Sequence, residues 1–222
     1  MKSKAGTDTE FFRTEKIPKI LLQIAPPVML AQLIQAMYNI VDSFFVGKYS
    51  EPALTALSVI YPLQLIIIAL AVGTGVGVNT YMARLYAQKM PGQAEETAGT
   101  GTLLALGTWF IFAIFSIFCM RPYVLTSANT PEAIESAVIY GQIVCIGSIG
   151  AFLEGNWTKV HQSRGNMHRP MVAQTVGALT NIVLDPILIF GLGPVPELGV
   201  AGAAYATVCG QVAAAVITSF GG

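Results

Sequence analysis

The sequence predicts an all-α membrane protein whose residues 17–222 form a bundle of six transmembrane helices. Of its 222 residues, 54% are hydrophobic and only 11% are charged, whereas soluble domains are about 25% charged. The mean hydropathy is +0.62. The apolar stretch 171–190 contains 20 residues, which as a helix span about 30 Å and so cross a bilayer. Unbroken apolar runs favour helices over a membrane β-barrel, whose strands alternate apolar and polar residues.

The apolar runs define the helices in order, with polar, Gly- or Pro-containing segments between them. Residues 1–16 are polar, lack periodicity and form an N-terminal tail. The six predicted spans are residues 17–46, 53–83, 97–120, 133–159, 171–190 and 200–220. The predicted connecting segments are residues 47–52, 84–96, 121–131, 160–170 and 191–199. Pro26 and Pro27 lie near the start of the first span, where each removes a backbone hydrogen bond, so we expect a bend there.

The basic residues predict which end of each span faces the cytoplasm. With the N-terminus inside, the cytoplasmic segments hold ten of the twelve Lys and Arg residues. The opposite side holds only Lys48 and Arg121. Because cytoplasmic loops carry the excess of Lys and Arg, this asymmetry predicts a protein of the cytoplasmic membrane with both termini, and the tail, in the cytoplasm.

Two of the predicted spans carry polar side chains along one helix face. Spacings of three or four residues return a side chain to nearly the same face. The first span carries Gln32, Gln35, Asn39 and Asp42, and the fifth carries Gln174, Asn181 and Asp185. Such stripes face protein or water rather than lipid. Both aspartates lie shortly before a turn glycine, so we expect them at similar depth in the outer half, lining one cavity.

The segment around Asp185 has the composition of a proton or hard-cation site. A carboxylate inside a membrane span costs at least about 2.5–3.5 kcal/mol on insertion scales, so it is rarely without a function. Pro186 has no N–H to offer the carbonyl of Ile182, which leaves that oxygen free beside the carboxylate. With Asn181 on the same face, these groups predict a site for H⁺ or Na⁺.

The same polar side chains have a structural alternative, in which they only hydrogen-bond neighbouring helices, at about 0.6 kcal/mol per bond. That role explains the glutamines as readily as a site does, but it does not require a charge at Asp42 or Asp185. Glu154 lies toward the inner end of the fourth span, where we expect it to reach water or a basic neighbour, with a second proton site as the alternative. The sequence has no Walker A, Gly-x-Ser-x-Gly or His-Glu-x-x-His motif, which argues against an enzyme of the corresponding classes.

The chain resembles the N-terminal half of the MATE (multidrug and toxic compound extrusion) transporters. The resemblance covers nearly all of the chain from Ile17 on. It rests on the Gly-rich second span and on residues 38–47 (YNIVDSFFVG), 164–166 (RGN), 181–186 (NIVLDP) and 199–204 (GVAGAA). The motifs of the first and fifth spans together are the most specific part.

The resemblance implies twelve helices in two six-helix lobes, of which this chain is one, and alternating access without a cofactor. It implies export of drugs or other organic molecules against inward H⁺ or Na⁺. The cation or proton site would consist of Asp42, Tyr140, Thr158, Asn181 and Asp185. Thr158 stands where the family has an asparagine, and Asn156 is close by. The rest of the polar stripes predict a substrate cavity lined by Gln35, Tyr38, Asn39 and Gln174.

We therefore predict one lobe of a cation-coupled antiporter. Its expected partners are the lipid bilayer, a small organic cation, and a second six-helix lobe from a missing C-terminal half or another chain. A lipid or oligosaccharide flippase of the same superfamily is one alternative, but it would favour basic residues in the cavity, and the midmembrane region has none. A non-transporting membrane scaffold, in which the polar stripes only join helices, is the other.

Overall fold

The computed structural model describes residues 16–220, and within them it contains helices and no strand. The predicted tail, residues 1–16, lies outside the described residues apart from Lys16. The helices are α1 (Ile17–Tyr49), α2 (Glu51–Ala87), α3 (Pro91–Leu125), α4 (Pro131–Gly147), α5 (Ile149–Ser163), α6 (His168–Phe190) and α7 (Val200–Ser219). The prediction of an all-helical membrane fold is confirmed.

Within residues 16–220, six candidate membrane spans are present when α4 and α5 count as one. Five helices are long and apolar enough to cross a membrane, and α4 with α5 forms a sixth span, bent by 41°. The fourth span is therefore not the continuous helix that we predicted. At the break, the hydroxyl of Ser148 donates to the carbonyl of Cys145 (2.7 Å). Beyond it, a Cβ at Gly150 would lie 2.8 Å from the backbone nitrogen of Val212, so the bend and this glycine together seat α5 against α7.

The first connection is much shorter than predicted. The expected turn over residues 47–52 is wrong, because α1 continues through Gly47 and only Ser50 separates it from α2. Ser50 is the N-cap of α2, and its hydroxyl accepts a hydrogen bond from the N–H of Ala53 (3.2 Å). Pro52 lies in the first turn of α2, where its missing N–H would be unpaired in any residue, so it starts the helix rather than interrupting it.

Prolines also explain the second connection and leave one prediction open. Pro91 begins α3, which reduces the polar loop predicted over residues 84–96 to residues 88–90. Pro26 and Pro27 lie inside α1, and the helix continues through both. The bend expected there stays a prediction.

Helices α6 and α7 pack against each other through glycines. A Cβ at Gly177 would lie 2.7 Å from the carbonyl oxygen of Gly210, and a Cβ at Gly210 would lie 2.6 Å from that of Gly177. Small residues allow helix backbones in membrane bundles to approach this closely. The contact holds α6, which carries Asn181 and Asp185, in a fixed position on α7.

Contacts between distant helices mark the two ends of the bundle. At one end, the rings of Tyr49 in α1 and Phe190 in α6 lie 6.2 Å apart, and we call it the Tyr49 end. At the other, Arg164 Nε donates to the hydroxyl of Tyr86 (3.0 Å), and we call it the Arg164 end. Large apolar side chains cover the outside of the bundle, including Phe118, which is 74% exposed. Such a surface suits a lipid environment.

Candidate ion and substrate site

Asp42 on α1 and Asp185 on α6 are buried near the Tyr49 end. Asp42 is 6% exposed and Asp185 is 0% exposed. Asp42 lies seven residues before the end of α1 and Asp185 five residues before the end of α6, so both are about 8–10 Å from that end. The ring of Phe45, three residues after Asp42, lies 6.4 Å from the ring of Phe190, five residues after Asp185, so α1 and α6 pack together beside the two aspartates. The structure thus brings together two acidic groups from separate helices, and we call them the carboxylate pair.

Asn181 joins the carboxylate pair to α7. It lies one turn before Asp185 and is 2% exposed. With its amide oriented to satisfy both ends, its nitrogen donates to Asp185 Oδ2 (3.3 Å) and its oxygen accepts from the backbone N–H of Thr207 (3.2 Å). The glycine contact between α6 and α7 makes this arrangement possible, because it brings the α7 backbone within reach of a short amide side chain.

Asp42 has a different environment. Among the residues that the structure describes, no hydrogen-bond partner reaches its buried Oδ1 atom. A buried ionised carboxylate without a partner is unfavourable. With Asp185 and Asn181 nearby, the site offers the oxygen ligands that a hard cation prefers, or a group that can bind a proton. The donor set therefore fits either H⁺ or Na⁺.

Tyr140 on α4 is the fourth predicted site residue that the structure places here. It is 1% exposed, and it lies within electrostatic range of Asp42 and within hydrogen-bond reach of Thr207. Gln64 on α2 donates to the Tyr140 hydroxyl (3.2 Å). Sequence reasoning missed Gln64 and Thr207. The only signal for either is a polar side chain inside an apolar span, which does not say which helix it faces.

Thr158 and Asn156 lie elsewhere. The hydroxyl of Thr158 donates to Glu154 Oε1 (2.7 Å), and the Asn156 amide donates to Thr102 on α3 (3.2 Å). Thr158 lies five residues before the end of α5, whereas Asp185 lies 17 residues after the start of α6. Both counts start from the Arg164 end, so the two residues differ in depth by about 18 Å. The structure does not bring Thr158 to the carboxylate pair.

A cavity of about 310 Å³ opens between α1, α2, α5, α6 and α7. All four residues predicted for the substrate cavity line it, namely Gln35, Tyr38, Asn39 and Gln174. Asn181 also lines it, whereas Asp42 and Asp185 are not among its lining residues, and the expectation that the two carboxylates share one cavity stays a prediction. Neighbouring helices bury the carboxylate pair behind the residues that line the cavity. Asn181 connects the two, because it lines the cavity and donates a hydrogen bond to Asp185.

Glu154 is the cavity residue whose position differs most from its expectation. It lines the cavity, although the sequence indicated a boundary residue reaching water or a basic neighbour. Its Oε1 accepts hydrogen bonds from Thr158 and from Gln174 Nε2 (3.3 Å). Lys159 is within electrostatic range, but the Lys159 ammonium donates to Gln162 (2.9 Å). Because α5 is set at an angle to α4, the residues that face inward could not be read from the sequence.

Comparisons with known proteins agree on one family. The sequence profile named MatE matches residues 27–187. A relative described as an FAD transporter of Shewanella oneidensis is 29% identical over 92% of this chain and 45% of its own. The multidrug export protein MepA of Staphylococcus aureus is 26% identical over 94% of this chain and 46% of its own. The chain thus spans about half the length of the curated relatives it matches.

Solved structures agree with the sequence relatives. A MOP superfamily transporter from Pyrococcus furiosus, described as having a binding pocket of reverse polarity, gives a TM-score of 0.88 at 26% identity, over 99% of this chain and 47% of its own. An outward-facing multidrug resistance MATE family transporter gives a TM-score of 0.85 at 27% identity, over 99% of this chain and 47% of its own. The MatE family consists of transporters, not enzymes. This chain belongs to the MatE family and corresponds to the N-terminal lobe of its members.

Proposed function

We propose that this lobe is half of an antiporter that exports organic molecules across the cytoplasmic membrane, driven by inward H⁺ or Na⁺. The observation that carries the proposal is the carboxylate pair. Two acidic side chains are buried on separate helices that pack together, and one of them has an oxygen without a partner among the described residues. A scaffold that needs only helix-to-helix hydrogen bonds gains nothing from buried charges.

The mechanism follows from the two states of the pair. Ionised, the pair attracts a cation; with H⁺ or Na⁺ bound, its charge is reduced and the buried site is easier to close. Moving one charge inward releases about 2.3 kcal/mol per 100 mV of membrane potential, which is the available driving force. Pro26 and Pro27 weaken the hydrogen-bond ladder of α1, the helix that carries Asp42, so ion binding would change the shape of α1 and with it the cavity.

The cavity supports a cationic or polar neutral substrate. Its described lining contains one acidic residue, Glu154, and no Lys or Arg. The relative from Shewanella is described as a transporter of FAD, whose phosphates are anionic. A flippase or a carrier for such anions would favour basic groups in the cavity. The lining of this lobe therefore favours drug-like cations over anionic dinucleotides and lipid headgroups.

The open side of the cavity supports a two-lobed transporter, in which a second six-helix lobe covers that side. The cavity is bounded on one side by α1 and α2, where Tyr61 and Leu65 remain largely exposed. The distribution of Lys and Arg supports cytoplasmic termini, with the Tyr49 end outward and the Arg164 end inward. The carboxylate pair then lies in the outer half of the membrane.

Proteoliposomes that contain the two-lobed transporter, loaded to impose an inward H⁺ or Na⁺ gradient, test the proposal. We expect gradient-driven movement of an organic cation in the wild type, and a loss of about 100-fold or more in Asp185→Asn, which keeps the shape but removes the titrating charge. Glu135→Gln, a matched charge change at an exposed position of α4, controls for expression and folding. Wild-type transport by correctly inserted Asp185→Asn would contradict the proposal.

A further inference from the structure

Glu154 is the acidic residue of the cavity, and it is separate from the carboxylate pair. It lies nine residues before the end of α5, whereas Asp185 lies 17 residues after the start of α6. Both counts start from the Arg164 end, so Glu154 lies about 12 Å closer to that end than Asp185. The two acidic sites are therefore at different depths, and they differ in access, because only Glu154 lines the cavity.

The hydrogen bonds of Glu154 leave one carboxylate oxygen for a ligand. Thr158 on the same helix and Gln174 on α6 both donate to Oε1, and donors of this kind stabilise the ionised carboxylate. Among the side chains that the structure describes, which exclude those of residues 20, 23 and 24, no donor pairs with Oε2 and no basic group forms a salt bridge with the carboxylate. The Glu154 carboxylate is thus positioned by two neighbours, and its Oε2 atom remains available to a ligand.

The surroundings of Glu154 suit an organic cation. Tyr38 and Tyr61 line the same cavity as Glu154. Aromatic faces attract cations and pack against apolar groups. The Oε1 atom of Gln211, which lines the same cavity, is buried without a partner among the described residues. Leu65 and Ile68 add apolar surface, so the cavity combines one charge, two aromatic rings and an apolar wall.

We propose that Glu154 is the substrate-binding residue of this lobe, and that it holds the positive charge of a hydrophobic organic cation against Tyr38, Tyr61 and the apolar wall. Gln174 and Thr158 position its carboxylate. This inference rests on the proposed transport function, and it divides the acidic groups between two tasks. Glu154 binds substrate in the cavity, and the carboxylate pair, with Asp185 about 12 Å closer to the Tyr49 end, binds the coupling ion.

Equilibrium binding to the purified 222-residue chain in detergent tests the assignment without any ion gradient. The probe is tetraphenylphosphonium, a permanent cation without a titrating group, and the neutral comparison is triphenylphosphine oxide. We expect Glu154→Gln to weaken binding of the cation by about tenfold or more, because it removes the charge from a partly enclosed site. Binding of the neutral molecule should change by less than about twofold, since its apolar contacts remain.

Two variants separate charge from structure. Glu135→Gln makes the same charge change at an exposed position outside the cavity, and it should bind both molecules as the wild type does. Glu154→Asp keeps the charge and should recover part of the lost affinity. Unchanged cation binding in Glu154→Gln would overturn the proposal, as would an equal loss for the cation and the neutral molecule.

Chemical protection in the wild-type chain gives a second test that does not depend on the folding of a variant. Carbodiimide with an added amine converts accessible carboxyl groups to amides, which peptide mass spectrometry locates. We expect tetraphenylphosphonium to protect Glu154 and to leave Glu135 reactive. Lack of protection, or protection of Glu154 by Na⁺ alone, would refute the substrate role.

The two proposals fail in different experiments. If tetraphenylphosphonium binds at Glu154 but the two-lobed transporter shows no gradient-driven transport, the antiport mechanism is wrong and the binding site stands. If transport depends on Asp185 but cation binding is indifferent to Glu154, the antiport mechanism stands and this inference is wrong.

Discussion

The two helices that carry the carboxylate pair are held very differently. Asp185 on α6 is fully buried, hydrogen-bonded to Asn181, and set on a helix locked to α7 by reciprocal glycine contacts. Asp42 on α1 has an oxygen that no residue in the described part of the chain pairs with. Only 11% of the apolar stretch of α1 is buried, against 33% for α6. From this comparison we expect α6 to be the static side of the ion site and α1 the side that can move.

The largest expected effect comes from breaking the static side. Gly177→Ala places a Cβ within 2.7 Å of the Gly210 carbonyl oxygen, so we expect it to lower the free energy of unfolding by about 1–3 kcal/mol. Gly73→Ala on α2 is the matched control, because a Cβ there meets nothing within 4 Å. Thermal unfolding in detergent measures both. If the two variants were equally stable, the claim that α6 is locked to α7 would be wrong.

Hydrogen exchange compares the two helices directly. We expect backbone amides of α1 near Pro26 and Pro27 to exchange about tenfold or more faster than those of α6 around Asn181, since α1 has fewer buried contacts and a broken ladder. Mass spectrometry of peptides from the chain in lipid nanodiscs measures this, with α7 as the internal reference. Equal protection in α1 and α6 would remove the distinction between a static and a mobile side.

Neutralising each aspartate should affect stability in opposite directions. Asp42→Asn removes a buried charge whose Oδ1 has no partner among the described residues, so we expect it to raise the free energy of unfolding by about 1 kcal/mol at alkaline pH. Asp185→Asn weakens a charge-assisted bond from Asn181, so we expect a loss of about 0.5–1 kcal/mol. Chemical unfolding in mixed micelles measures both variants. Changes of the same sign would show that the two carboxylates have similar environments.

The smallest expected effect concerns Thr158, which was predicted at the site but lies far from the carboxylate pair. Thr158→Val removes a hydroxyl that donates to Glu154 and lies about 18 Å in depth from Asp185. We expect ion binding at the carboxylate pair to stay within about twofold of wild type, because ligands act only at contact distance. Binding of Na⁺ or uptake of protons by the purified variant measures this. A loss of ion binding as large as that of Asp185→Asn would restore Thr158 as a ligand.

The sequence was sufficient for features that depend on local pattern. The lengths of the apolar runs predict six spans, and the distances of Asp42 and Asp185 from the following glycines indicate their similar depth. The α1–α2 connection was mispredicted because Gly47 and Pro52 are turn residues by composition, yet proline in a first helical turn extends the helix. Local pattern thus identified the helices better than their exact ends.

Features that depend on which helix faces which could not be predicted. The break at Ser148 has no proline, and a serine between two glycine-containing turns does not by itself end a helix. The break at Ser148 accompanies the close contact between Gly150 and α7. The contacts of Gln64 and Thr207 with Tyr140, and the position of Glu154 in the cavity, follow from that same tertiary packing. The resemblance assigned Thr158 to the site, but the orientation of α5 decides what this residue contacts.

The titration of the carboxylate pair tests the central claim, that Asp42 and Asp185 form one ion site. Difference infrared spectroscopy records the protonated carboxyl band of buried acids as a function of pH in the wild type, Asp42→Asn, Asp185→Asn and the double variant. If the pair is one site, each carboxylate changes the titration of the other. After the double-variant curve is subtracted from each of the others, the wild-type curve will then differ from the sum of the two single-variant curves. A wild-type curve equal to that sum would show two independent groups and contradict the account.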